Sequence, residues 1–254
     1  MQLNVYDKYF DGNPIPMNEL SPQAHIWTSR GCPFKCIFCV WPAAMTGNDP
    51  DGENKRSVRQ YSADYMKGFL DKLTTDYKFE AIYFDDDTFN IGNKHTVEIS
   101  KVAGKYKIPW FAMCRADTCK KETWKIMRDN GCKGVKIGIE SGSQYVVDKI
   151  VNKHLDLNYT SQIVDHLRSL DMSVHGTFTY GLPGETKEQM LETKEYIKNT
   201  NFNTVQESGT AEIEGTPLHA LNLSLIHISE PTRPERIAVS VVVVEKKKGG
   251  GGGG

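Results

Sequence analysis

The feature that most constrains this chain is an alternation between Ala24 and about Ala211, in which short apolar runs give way to helix-period patterns. His25–Ser29, Glu80–Phe84, Trp110–Cys114, Gly134–Ile139, Ser173–Tyr180 and Asn203–Gly209 read as six strands. After the first, Tyr65, Met66, Phe69, Leu70 and Leu73 recur at helical spacing behind Ser62, a candidate N-cap. Lys94–Tyr106 reads as a second helix, and Lys120–Asn130 as a third that stops at Gly131. Gln144–Val151 is short and helical. Ile163, Val164, Leu167 and Leu170 mark a longer helix opening near Asn158 or Thr160. Thr186-Lys187-Glu188-Gln189 is a capping-box pattern that starts a helix running through Ile197. Strands separated by helices of this length require a parallel sheet with right-handed crossovers. The expected fold is α/β: an open sheet or a partial barrel, with a partial (βα)6 TIM-like barrel preferred.

The expected domain is 24–222. Residues 1–23 carry Pro14, Pro16 and Pro22 and read as an extended lead-in. Residues 223–254 differ in kind: Leu223 to Arg233, LSLIHISEPTR, resembles the translation of a sequencing-library adapter, and a Val run, a Lys run and six terminal glycines follow. That segment is read as non-native. The formal net charge of −1 gives no electrostatic reason to expect nucleic acid or an anionic membrane as partner. No apolar run is long enough to span a bilayer, and MQLNVYDKYFDG lacks the basic and apolar regions of a signal peptide. A cytoplasmic setting follows, in which the six cysteines stay thiols.

Three of those thiols lie together. Thr28-Ser29-Arg30-Gly31-Cys32-Pro33-Phe34-Lys35-Cys36-Ile37-Phe38-Cys39 follows the first strand, with C-x3-C-x2-C spacing. Three thiolates on one tight loop can each take one iron of a cubane, leaving the fourth iron open for chemistry on a bound molecule. Buried hydrophobic cysteines are disfavoured by Pro33 and Lys35. Structural zinc and an ordinary electron-transfer cluster both want a fourth ligand, and none is nearby. Cys114, Cys119 and Cys132 match no cluster spacing and read as buried structural thiols.

A barrel enzyme carries its functional residues at the C-terminal ends of its strands. Polar clusters stand there: Asp85-Asp86-Asp87-Thr88 after the second strand, Cys114-Arg115-Ala116-Asp117 after the third, and Gly138-Ile139-Glu140-Ser141-Gly142 after the fourth. Gly181–Thr186 follows the fifth strand, and the sixth carries Glu207. Asp86, Asp87 and Thr88 suit hydrogen bonds from an ammonium group. Arg115 offers a planar fork for a carboxylate. Glu140 and Ser141 suit ribose hydroxyls, and Gly138 and Gly142 admit close backbone approach. Gly181–Thr186 reads equally well as a turn and helix start, and His175 as facing either the barrel interior or the helices.

TSRGCPFKCIFC, YFDDDTFN, GIESGSQ and HGTFTYGLPGET, within about Asp7 to Leu221, resemble the cobalamin-associated branch of the radical S-adenosylmethionine superfamily. The resemblance implies a 4Fe-4S cluster on Cys32, Cys36 and Cys39, with Phe38 lining the adenine pocket. It implies that the segment after the second strand meets the methionine amino group and the segment after the fourth meets ribose. It implies reductive cleavage of S-adenosyl-L-methionine to a 5′-deoxyadenosyl radical that takes hydrogen from an organic small molecule, for methyl transfer or a carbon-skeleton change. A flavodoxin or ferredoxin would supply the electron. Members of that branch usually carry an N-terminal cobalamin domain. No D-x-H-x-x-G sequence occurs here, so cobalamin is implied only where an upstream domain precedes this chain. The competing function is a non-catalytic iron–sulfur electron-transfer protein.

Overall fold

The computed structural model describes residues 4–6, 23–40 and 56–226. Most of the lead-in and nearly all of the adapter-like tail therefore lie outside the described residues. Six strands run parallel in sequence order: β2 (Gln23–Ile26), β5 (Ala81–Phe84), β6 (Trp110–Cys114), β7 (Cys132–Glu140), β8 (Ser173–Tyr180) and β9 (Thr204–Gly209). The short β1 (Asn4–Tyr6) pairs antiparallel with the outer edge of β2. A doubly wound sheet reverses its order at a switch point. This sheet never reverses, so each crossover returns the chain to the same face. That is the winding of a barrel, here a partial one.

The helices are α1 (Ala63–Asp76), α2 (Asn93–Gly104), α3 (Lys121–Asp129), α4 (Leu157–Ser169), α5 (Lys187–Asn199) and α6 (Pro217–Ile226). Strand alternation divides the two faces. Ala24, Ile26, Ile82, Phe84, Trp110, Ala112, Val135, Ile137 and Val174 turn outward into one core with Met66, Leu70, Ile99, Trp124, Met127, Ile163 and Leu167 of the helices. The alternate positions face the interior, where His25 and Tyr83 lie with ring centroids 5.2 Å apart. His175 belongs to this inner set, beside Thr204, whose hydroxyl is 2.8 Å from its Nδ1.

Two expected starts hold at atomic detail. Ser62 caps α1 by accepting from the Tyr65 amide, and Thr186 and Gln189 form a reciprocal capping box on α5. One expectation, the end of the first strand, is corrected, and three others are sharpened. The first strand ends at Ile26 and does not reach Ser29, because the Thr28 amide donates to the Asp86 carboxylate. The chain then forms a separate antiparallel ribbon, β3 (Ser29–Arg30) with β4 (Arg59–Gln60). The cap of α4 is Asp156, whose carboxylate accepts from the Tyr159 amide; Asn158 and Thr160 lie inside the first turn. The short helix after β7 is wound as a π segment, Val146–Ile150, closed by the Val151 amide on the Val146 carbonyl at 2.8 Å. Such wide turns mark functional sites more often than ordinary helix does, and this one delivers Lys153 to the mouth of the barrel. α6 starts ahead of the expected boundary at Asn222 and continues past it to Ile226. Among the described residues no helix is long and apolar enough to cross a membrane.

Candidate active site

The cysteine loop is pinned from several elements. The Gly31 amide donates to Asp87 Oδ2 at 2.7 Å, and the Ile37 amide to the Val151 carbonyl at 3.0 Å. Asn152 Nδ2 donates to the Lys35 carbonyl at 3.1 Å, and the Leu218 amide, at the start of α6, to the Ile37 carbonyl at 3.1 Å. The Arg56 guanidinium donates to the Phe34 carbonyl. Gly31 sits at φ +94°, and a Cβ there would stand 2.2 Å from the Ser57 carbonyl oxygen, so only glycine fits. Leu182, Val146, Val151 and the side chains of Phe34 and Phe38 pack around the loop.

Cys32, Cys36 and Cys39 line one wall of a cavity of about 240 Å³ at the C-terminal end of the barrel. Phe38, Asp86, Asp87, Thr88, Arg115, Gly138 and Glu140 line the rest, together with Lys153 and Thr177. Strand ends far apart in sequence therefore meet at one place, as a barrel site requires. Three thiols on one loop at the cavity wall, with no fourth cysteine but Cys114 lining it, suit a cubane that takes three thiolates at separate corners. Burial pushes the Cys36 thiol up, and the nearby Lys153 and Arg115 charges oppose that shift.

Several strand-end residues do other work than expected. The Arg115 fork is already engaged: Nε and Nη2 donate to Asp117 at 2.6 and 3.0 Å, and Nη2 donates to the Lys153 carbonyl at 2.6 Å. Its guanidinium also lies 3.7 Å from the centre of the Phe34 ring. Arg115 thus braces the cysteine loop against the chain carrying Lys153, and its paired edge is not offered to a ligand carboxylate. Ser141 stands apart from the cavity. Its hydroxyl is 2.9 Å from Thr193 Oγ1 and accepts from the Ser143 amide, which ties the end of β7 to α5. Gly142 serves the same contact, since a Cβ there would stand 2.7 Å from the Thr193 Cα. Asp86 reaches the cavity wall, but its carboxylate accepts from Thr28 and Ser29. Burial raises its pKa to about 6 against those hydrogen bonds. Burial also raises half-buried Asp87, despite the Gly31 amide.

Glu140 faces the cavity from φ +75°, a left-handed conformation that costs a side chain about 1 kcal/mol or more. The strain is held by partners: Lys153 Nζ donates to its Oε1 at 2.8 Å and Thr179 Oγ1 to its Oε2 at 3.2 Å. Gly138 leaves room for this pair, because a Cβ would stand 2.5 Å from Glu140 Oε1 and 2.9 Å from Lys153 Nζ. Lys153 was not singled out by sequence reasoning. Nothing in Asn152-Lys153-His154 distinguishes it from a solvated loop lysine. Asn90 was also passed over, although it clamps Arg115 through the Arg115 amide and carbonyl at 2.9 and 2.7 Å.

Gly181–Thr186 proves to be turn and helix start: Gly181 and Gly184 have positive φ, and Glu185 accepts from the Gly181 and Leu182 amides. Glu207 is tied to Tyr180 and Lys194 outside the cavity. Cys119 and Cys132 are buried thiols raised by desolvation, Cys119 to about 12. Cys114 is likewise buried and raised, although it touches the cavity floor.

A sequence profile of the Radical SAM superfamily matches residues 27–197, and the chain belongs to that superfamily. It is 27% identical over 229 residues to a cytidylyl-2-hydroxyethylphosphonate methyltransferase from Streptomyces wedmorensis, covering 84% of this chain and 40% of that protein. It is 29% identical over 221 residues to an uncharacterized methyltransferase from Pyrococcus horikoshii, covering 82% and 46%. The fold matches the radical S-adenosylmethionine methyltransferase TsrM from Kitasatospora setae with tryptophan and a SAM analogue bound. That match has a TM-score of 0.70 at 16% identity and covers 89% of this chain and 43% of that one. The chain spans less than half the length of the relatives it matches.

Proposed function

We propose that this chain is the catalytic core of a radical S-adenosylmethionine enzyme acting on an organic small molecule. The observation that carries the reading is the convergence of Cys32, Cys36 and Cys39 with Glu140, Lys153 and Asp87 around one cavity. The three thiolates would hold three irons of a 4Fe-4S cluster and leave the fourth facing the cavity. The chemistry supplied there, with cluster and S-adenosylmethionine bound, is one-electron cleavage of a carbon–sulfur bond to a 5′-deoxyadenosyl radical that abstracts hydrogen from substrate.

The chain's own residues bind and orient. Glu140, fixed by Lys153 and Thr179, accepts from ribose hydroxyls. Lys153 brings a buried cation for the methionine carboxylate, and Asp87 and Thr88 face the ammonium end. Phe38 gives an apolar surface for the adenine. Methyl transfer is supported by the methyltransferases among the relatives. Cobalamin belongs to the reading only through a further domain; TsrM, whose fold this chain shares, has been solved with cobalamin and a [4Fe-4S] cluster bound. A flavodoxin or ferredoxin in the cytoplasm is the proposed electron source. The core is assigned to 24–222, with 1–23 as lead-in and 223–254 as a non-native tail.

The test is to load the full chain with iron and sulfide without oxygen, reduce it, and record its EPR spectrum before and after adding S-adenosylmethionine. A shift on addition is expected. A 4Fe-4S spectrum indifferent to S-adenosylmethionine would support the electron-transfer alternative.

A further inference from the structure

The cysteine loop starts where β2 ends, and one buried carboxylate holds that junction. Asp86 is only 1% exposed. Its Oδ1 accepts from the Thr28 amide at 3.1 Å, the Thr28 hydroxyl at 2.9 Å and the Ser29 hydroxyl at 2.5 Å; its Oδ2 lies 3.2 Å from the same Thr28 amide. The Thr28 hydroxyl is also 3.3 Å from His95 Nε2, which ties the junction to α2. Directly beyond, the neighbouring Asp87 accepts from the Gly31 amide, and Cys32 follows. These amide and hydroxyl donors to Asp86 are neutral. A carboxylate buried among neutral donors is costly to keep, so a side chain with no task but packing is not expected here. The bonds have a geometric consequence. They pull Thr28 out of the sheet ladder and turn the chain into β3, which sets where Cys32 emerges.

We propose that Asp86 is a positioning residue that fixes the Thr28–Gly31 backbone, so that Cys32 presents its thiol to the cavity beside Cys36 and Cys39. The inference rests on the reading that these cysteines hold a cluster. It differs from a direct contact between Asp86 and the ammonium group of S-adenosylmethionine, which would leave the loop indifferent to the carboxylate.

The experiment compares the full chain with Asp86→Asn, Thr28→Val and Ser29→Ala, first without iron and then reconstituted. In the iron-free chain, amide hydrogen exchange across residues 28–36 should quicken about tenfold in Asp86→Asn, the loss expected for a hydrogen bond to a charged group. The two hydroxyl variants should show smaller increases. Exchange in α5 should be unchanged in all three. After reconstitution, Asp86→Asn should retain less iron, give an altered EPR line shape for what it retains, and lose S-adenosylmethionine binding only in proportion to iron.

An Asp86→Asn chain with wild-type exchange and full iron, but weakened S-adenosylmethionine affinity, would overturn the proposal in favour of direct contact. So would a chain unchanged in every readout. If Asp86→Asn does not fold, wild-type loop exchange in both Thr28→Val and Ser29→Ala overturns it. A wild-type chain that takes up no cluster would count against the proposed function, while exchange in the iron-free chain still reports whether Asp86 holds the loop.

Discussion

Two glycines near the end of β7 separate the site from its support. At Gly138 an added methyl would meet Glu140 Oε1 at 2.5 Å and Lys153 Nζ at 2.9 Å, both far ends of flexible side chains that can swing aside. At Gly142 it would meet the Tyr196 Cβ at 2.4 Å, the Thr193 Cα at 2.7 Å and the Glu192 carbonyl oxygen at 2.9 Å, which belong to the body of α5. Gly142→Ala must therefore move a helix, an overpacking cost of about 1–3 kcal/mol. Gly138→Ala gains roughly 0.5–1 kcal/mol from the stiffer unfolded chain, which offsets most of the cost of shifting one ion pair. Its net stability change should stay within about 1 kcal/mol. Displacing Glu140 and filling part of the cavity should instead weaken S-adenosylmethionine binding about tenfold, or roughly 1.4 kcal/mol. Urea unfolding of the iron-free chains gives the first quantity, and equilibrium dialysis with the reconstituted chains the second. The reasoning is refuted if Gly138→Ala unfolds as readily as Gly142→Ala, or if it binds S-adenosylmethionine like the wild type.

Other consequences can be checked more simply. His175 is 1% exposed, and its pKa is lowered to about 3, first by burial and then by Lys136. A base whose folded pKa is depressed gives stability that is present above the unfolded value and lost as pH falls from about 6.5 toward 3. Between pH 7 and pH 5 the wild type should lose about 2 kcal/mol more stability than His175→Asn does, the other titrating groups being common to both; equal slopes would contradict it. Thr186→Ala removes the hydroxyl half of the capping box, leaving the Thr186 backbone amide bond to Gln189, and should cost about 1 kcal/mol in a urea melt, with S-adenosylmethionine affinity unchanged. Arg115→Lys loses the paired contact with Asp117 and the stacking on Phe34, and should cost roughly 2–4 kcal/mol and lower the iron retained after reconstitution.

The features legible in the sequence were those set by local chemistry. The six parallel strands followed from apolar runs and punctuation, and the caps at Ser62 and Thr186 from hydroxyls placed three residues before their partners. The C-x3-C-x2-C spacing marks the loop that lines the cavity. What was missed depends on partners distant in sequence. Ser29 reads as the end of the first strand, not the start of β3, because nothing nearby shows that Asp86, 57 residues on, takes its hydroxyl. Arg115 reads as a fork for a ligand carboxylate because the Lys153 carbonyl, 38 residues on, meets it only in the folded chain. Ser141 and Glu140 are neighbours in sequence, yet the positive φ at Glu140 sends one to the cavity and leaves the other against α5. Lys153 is aimed by a π turn that carries no recognisable sequence signature.

The most direct measurement is product formation. The full chain, reconstituted and reduced without oxygen, is given S-adenosylmethionine and assayed for 5′-deoxyadenosine by mass spectrometry, with Cys36→Ala alongside. Product from the wild-type chain and none from Cys36→Ala is the expected result. A wild-type chain that carries the cluster and binds S-adenosylmethionine but leaves it uncleaved would contradict the assignment of this cavity as a radical-generating site.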